Sequence, residues 1–322
     1  MTTKVDLLSL LPTELEEYFV SIGEPKFRAK QVFTRLHKGE RIGEITNLSK
    51  ALREKLVAET LDTLPTVEEK LVSKIDGTVK YLFRLHDGAC IESVFMRYKH
   101  GNTLCISSQV GCRMGCKFCA STIGGRVRDL TPAELVGQVI AAQKDISVSD
   151  PSARIGGIVM MGIGEPLDNY EQVVRFLRML GEEGGVHIGM RHISLSTCGL
   201  VPGIYRLMEE QIPLTLSISL HAPNDEIRSQ SMPVNKRWPI EELLSACRDY
   251  IKATGRRISF EYAMIDGVND TPEAARELIR LLKGLPAHMN LRELISLFAV
   301  WLESEIYFLS AAIILFWGFC SK

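Results

Sequence analysis

The chain has 322 residues, 46% of them apolar, with a formal net charge of -1. That is length enough for one large domain plus a smaller one and apolar content enough for a real core, which excludes a disordered or fibrous chain. Near-neutral charge gives no global attraction to nucleic acid, so any such binding must rest on local basic patches. The start, "MTTKVDLLSLLPTELEEYF", sets acidic residues close behind a short apolar patch and lacks a small-residue cleavage site, so it does not read as a signal peptide. A reducing cytoplasm is the expected location. The eight cysteines are few and unevenly spread, which points away from a disulfide framework and toward metal or redox chemistry.

Residues 1–62 read as a small helical domain, with "TELEEYFVSIG" and "PKFRAKQVFTRLHKG" repeating apolar residues at three- and four-residue spacings. Residues 63–103 change to alternation, as in "KYLFRLHDG" and "CIESVFMRY", with Asp87-Gly88 as the turn of a hairpin connection. From 104 to 291 strands and helices alternate. The strands are expected in "TLCISSQV", "IGGIVMMG", "RHISLST", "LTLSISLH", "RISFEYAMI" and "AHMNL", and the helices near 132–146, 170–182, 202–210, 239–253 and 272–284. Thr131-Pro132-Ala133-Glu134 has the form of a capping box, Asp270-Thr271-Pro272-Glu273 is a similar start, and Gly255 and Gly284 suit helix stops. The fold class is therefore α/β: successive right-handed βαβ units forming a partial (βα)6 barrel, with ligands at the carboxyl ends of its strands.

At that end, directly after the first barrel strand, stands "GCRMGCKFCA". Cys112, Cys116 and Cys119 put three thiols on one short loop, followed by Gly124-Gly125. Thiolates suit zinc or iron-sulfur clusters, and closed sites of either kind take four ligands. No second CxxC pair or His-x3-His stands elsewhere to complete a zinc site, and the other cysteines look isolated on separate elements. A 4Fe-4S cluster on three cysteines leaves one iron free for a substrate or cofactor. A zinc knuckle, or buried structural thiols, is the bland alternative.

With "GIGEPLDN", "LSTCG" and "SISLHAPND", the run "SSQVGCRMGCKFC" resembles the radical S-adenosylmethionine superfamily, and within it the RlmN/Cfr family of RNA adenine methyltransferases, most of all its RlmN branch. The resemblance covers residues 1 to about 291. It implies that Cys112, Cys116 and Cys119 hold a 4Fe-4S cluster whose open iron takes S-adenosylmethionine, and that Gly164, Glu165, Ser196, Ser219, Leu220 and His221 contact that cofactor. It further implies methylation of carbon 2 of adenine in large-subunit ribosomal RNA and in transfer RNA. In the family a cysteine near the C-terminus carries the methyl group, a second cysteine and a base release the adduct, and an electron donor serves the cluster. Cys105 matches the second cysteine and Glu92 the proton acceptor. Read from the residues alone, Cys105 is a core thiol on an alternating strand and Glu92 a solvated strand residue. The Cfr-like alternative is methylation at carbon 8, which the residues do not separate from carbon 2. The chain is expected to act as a monomer away from membranes.

RNA binding would fall to basic segments. Residues 23–41 carry six Lys or Arg against two Glu, and "RYKHGN", "GGRVR" and "NKRW" add basic loops.

The resemblance stops after "HMNL". Where the family continues with a Pro- and Asn-containing loop, a helix and an Arg-rich segment ending in "ACGQL", residues 292–322 form an apolar segment with none of those features. Three readings stand: a frameshift or gene truncation; a membrane anchor over Ile306 to Cys320, which at about 1.5 Å per residue falls short of roughly 30 Å of hydrocarbon; or a divergent end in which Cys320 carries the methyl group. Without a methyl carrier, transfer is expected to fail, leaving a cluster-binding or RNA-binding remnant.

Overall fold

The computed structural model describes residues 4–99 and 101–293. The apolar segment from 294 on, with Cys320, lies outside them. The described residues divide into two compact units: those up to 110 with 129–162 and 169–193 form the first, and 111–128, 163–168 and those from 194 on the second.

The first unit begins with strand β1 (Val5–Asp6) and helices α1 (Pro12–Ser21), α2 (Phe27–Leu36) and α3 (Lys50–Glu59), then β2 (Thr60–Leu61), which pairs in parallel with β1. The expected helical start is present. Each helix turns one apolar stripe inward: Leu15 and Phe19 from α1, Ala29, Val32, Phe33 and Leu36 from α2, Leu52 and Leu56 from α3. Next come β3 (Thr66–Val72), β4 (Val79–Arg84), β5 (Cys90–Tyr98) and β6 (Gly101–Cys105), each antiparallel to the one before. Gly88, at a φ of 88°, makes the β4–β5 turn where Asp87-Gly88 was expected. Strand β9 (Ile155–Met160) adds in parallel to β6. Helices α4 (Pro132–Ser149) and α5 (Tyr170–Gly181) complete the unit. The capping box forms as read: Thr131 Oγ1 accepts from the Glu134 amide at 3.2 Å and Glu134 Oε2 accepts from the Thr131 amide at 3.0 Å.

One strand is shorter than its alternation suggested. The "TLCISSQV" strand ends at Cys105, and β7 (Gln109–Gly111) begins only after a break. The backbone between is claimed by side chains. Gln138 on α4 accepts from the Ser107 amide at 2.9 Å and donates to the Ser107 carbonyl at 3.0 Å, while Asn169 Nδ2 donates to the Ser108 carbonyl at 2.8 Å. After β7 comes β8 (Arg126–Asp129).

The second unit holds four parallel strands in the order β13-β12-β11-β10: β10 (Ile193–Thr197), β11 (Thr215–Ser219), β12 (Ile258–Met264) and β13 (Ala287–Glu293). Helices α6 (Val201–Glu209), α7 (Asp225–Ser231), α8 (Ile240–Thr254) and α9 (Pro272–Leu282) alternate with them. All six barrel strands of the α/β reading are thus present. Helix α7 was not anticipated, because "DEIRSQS" carries a single apolar residue and so no helical stripe; an Asn224 cap, accepting from the Ile227 amide at 3.0 Å, starts it instead. Gly255 closes α8 in the left-handed region, at a φ of 67°.

Candidate cluster and cofactor site

The cysteine loop belongs to the second unit, and at its base the Cys112 amide donates to the Gly125 carbonyl at 3.1 Å, next to the pairing of β7 with β8. That closure needs glycine at position 111. Gly111 has a φ of 74°, and a Cβ there would lie 1.9 Å from the Gly125 carbonyl oxygen. Within the loop the Cys119 amide donates to the Cys116 carbonyl at 3.0 Å, and Thr122 Oγ1 donates to the Cys119 carbonyl at 3.0 Å. The Lys117 amide donates to the Ser231 carbonyl at the end of α7, at 2.9 Å. Arg113 forms an ion pair with Asp168, its Nε 3.0 Å from Oδ2.

Cys112 and Cys116 are buried and Cys119 half-buried. Burial pushes the Cys112 thiol up to about 11 and Cys116 up to about 12, and negative charge on neighbouring cysteines and on Glu165 pushes in the same direction. Left alone, these thiols hold their protons; positive iron would reverse that preference. Among the described residues no three His, Cys, Asp or Glu side chains group as they would around one metal ion. Three thiols on one loop leave a four-ligand site one donor short, which suits a cubane with one free iron better than a closed zinc site.

Glu165 is fully enclosed. Its Oε2 accepts from the Cys198 amide at 2.8 Å and Oε1 from the Leu167 amide at 3.0 Å, so the carboxyl ties the turn after β9 to the end of β10. Burial raises its pKa, and the two amides pull it back. Gly164 before it has a φ of 107°. Ser196 on β10 and Ser219 at the end of β11 bring their hydroxyls to 3.5 Å. Leu220 and His221 follow, both amides donating to the Glu261 carbonyl. His221 Nδ1 accepts from the Ala263 amide at 3.0 Å, which leaves the neutral ring's proton on Nε2, and burial drives its pKa down to about 3. All six expected cofactor residues therefore stand in the second unit with the loop.

Glu92 and Cys105 belong to the first unit, on β5 and β6. Val94 pairs directly with Cys105, and Glu92, two residues from Val94, shares their face. Glu92 is no solvated strand residue: it lies 2.9 Å from Lys80 Nζ with about 15% of its side chain exposed, and burial raises its pKa against the pull of that lysine. Cys105 is buried, as its alternation suggested.

Several residues escaped the sequence reading. Cys198 had looked isolated, yet it packs in one apolar cluster with Cys116, Met232 and Val234, with Met114, Phe118, Cys119, Leu200 and Trp238 around them. Arg228, inside α7, and Gln138, which pins Ser107, carry no spacing signal at all.

Residues 106–282 match the model of the radical SAM superfamily, and residues 5–61 that of the ribosomal RNA large subunit methyltransferase N-terminal domain. A protein of Alkaliphilus metalliredigens named "Probable dual-specificity RNA methyltransferase RlmN" is 54% identical over 289 residues, 89% of this chain and 81% of that protein. The chain belongs to the radical SAM RNA methyltransferases of the RlmN family. A Clostridium novyi protein of the same name is 50% identical over 288 residues, 89% of this chain and 82% of its own length. A solved radical SAM methyltransferase from Sphaerobacter thermophilus superposes with a TM-score of 0.85 at 45% identity, covering 89% of this chain and 84% of that one. Members of this family use a 4Fe-4S cluster and S-adenosylmethionine, so the chain is an S-adenosylmethionine-dependent RNA methyltransferase by family.

Proposed function

We propose that the chain is built to methylate carbon 2 of adenine in large-subunit ribosomal RNA and in transfer RNA. The dual specificity named for its relatives supports this over the carbon-8 reaction of Cfr-like enzymes. Cys112, Cys116 and Cys119 hold the cluster, and the observation that carries this is the Gly111-dependent loop that bears all three, with Cys116 packed against Cys198 after β10 and Phe118 against His221 after β11. Gly164, Glu165, Ser196, Ser219, Leu220 and His221 contact S-adenosylmethionine. The cofactors supply the radical chemistry that an unreactive aromatic carbon demands.

The chain's own residues bind, orient and move protons. Glu92, its pKa raised by burial, is the proton acceptor, poised nearer neutrality than a surface carboxylate. Cys105, on the same strand face, is the thiol that resolves the covalent adduct. Residues 1–62 form the accessory domain that meets RNA, 63–103 the hairpin connection, 104–291 the barrel, and 292–322 an apolar segment standing in place of the methyl-carrier region. An electron donor must reduce the cluster, and the chain acts as a cytoplasmic monomer. Among the described residues no helix is long and apolar enough to cross a membrane.

Since residues 292–322 lack the carrier motif of the family, methyl transfer is impaired while the cluster site is kept. Mass spectrometry of RNA from cells with this as their sole such gene tests the proposal. Loss of 2-methyladenosine from both RNA classes is expected, with its return when a family C-terminus replaces 292–322. Normal levels from the chain as it stands would overturn the impairment, and 8-methyladenosine from the repaired chain would overturn the regiochemistry.

A further inference from the structure

Arg228 is fully buried in α7 and belongs to none of the roles above. Its Nε donates to the Leu220 carbonyl at 3.1 Å and Nη1 to Asn235 Oδ1 at 2.9 Å, while Nη2 donates to the carbonyls of Cys198 at 2.7 Å and Ser219 at 3.1 Å. None of these acceptors carries charge. The Asp225 carboxylate stands behind Asn235, whose Nδ2 donates to it at 2.9 Å. A guanidinium keeps its proton inside proteins, and an enclosed ion without a counter-charge costs several kcal/mol. Four hydrogen bonds occupy four of its five N–H groups, and none of them brings a charged partner.

The surroundings indicate where the missing anion belongs. Cys116 and Cys198 pack together against Met232 and Val234, the residues just beyond α7. The end of α7 also accepts the Lys117 amide through Ser231, so helix and cysteine loop are tied by backbone. A 4Fe-4S cluster on three thiolates carries net negative charge, and reduction by one electron adds to it.

We propose that Arg228 is a positioning residue for the reaction and the built-in counter-charge of the cluster, fixing the Ser219-Leu220 strand end while favouring the reduced state. The proposal rests on the reading that Cys112, Cys116 and Cys119 hold that cluster. A buried cation lowers the free energy of the more anionic state, so its loss must lower the midpoint potential.

The test is a dithionite titration of anaerobically reconstituted protein, followed by low-temperature electron paramagnetic resonance, on the parent, Arg228→Gln, Arg228→Lys and Asn235→Asp. Asn235→Asp is nearly isosteric and sets a carboxylate against the guanidinium; made together with Asp225→Asn, so that two carboxylates do not meet, it cancels the charge without emptying its place. Arg228→Gln and that double variant are both expected to load iron and to show midpoint potentials below that of the parent, with Arg228→Lys between. Equal potentials in whichever variants load, or loss of the cluster from all of them while the parent keeps it, would overturn the role. If the parent shows no cluster, or still shows it after all three loop cysteines are changed to alanine, the ligand reading fails and the proposal with it.

Discussion

His221 condenses what a residue can conceal in a sequence. The run "SISLH" places it at the end of β11, and its histidine chemistry is plain from the letter. Its backbone is not: His221 has a φ of 54°, unusual outside glycine, and is held there by bonds from its amide to Glu261 and to its carbonyl from Asn269 Nδ2 at 2.8 Å. Phe118 of the cysteine loop meets the ring edge-on at 5.1 Å. Burial keeps the ring neutral, and its folded pKa of about 3 lies below the ordinary 6.5. A depressed folded pKa contributes stability that is complete above pH 6.5 and is lost as pH falls toward 3. Glu165 and Glu261, raised by burial, act in the opposite sense as acid is added, so the histidine must be isolated by difference. Urea unfolding of the parent and of His221→Gln at pH 7.5 and at pH 4 provides that difference. The parent's advantage over the variant should shrink by about 2 kcal/mol or more on acidification; an unchanged gap would remove this account of the histidine.

At the scale of elements, periodicity carried the helices and most strands, because α1, α2, α8 and α9 each bury one stripe and the parallel strands are short apolar runs. What it missed leaves no periodic trace. The early end of β6 is set by a partner far away in sequence, α7 starts on the local Asn224 cap, and the cysteine loop closes through Gly111. Gln138 reaches Ser107 across 31 positions, and Arg228 reaches Cys198 across 30. The loop was legible in its cysteines but not in its hinge. Gly111 is one letter among ten in that run, yet its left-handed backbone leaves room for the 112-to-125 bond. Gly111→Ala would force a left-handed alanine, costing about 1 kcal/mol, before the carbonyl clash is counted. The variant is expected to keep its far-ultraviolet circular dichroism while iron bound per chain after reconstitution falls well below the parent's. Full iron loading would show that the base of the loop can open without consequence.

The whole molecule carries its charge unevenly even though the sum is near zero. Helix α2 turns Ala29, Val32, Phe33 and Leu36 inward and leaves Lys26 and Lys30 in solvent, with an exposed Phe27 beneath the Arg28 guanidinium at 4.9 Å. Cations beside an exposed aromatic ring suit a polyanion with stacking bases. Changing Lys26, Arg28 and Lys30 to Glu should weaken RNA binding most at low salt and reduce the salt slope by up to about 3. Filter binding across salt concentrations checks it; equal affinity at low salt would exclude this helix from the RNA surface.

The cluster is the proposition on which the remaining chemistry depends, and it can be observed without any turnover. Protein reconstituted with iron and sulfide under anaerobic conditions should contain four irons per chain, by the nature of the cluster. Its reduced form should give an electron paramagnetic resonance signal that changes when S-adenosylmethionine is added, and alanine at Cys112, Cys116 or Cys119 should abolish it. A signal indifferent to S-adenosylmethionine, or one that survives loss of those cysteines, would contradict the account.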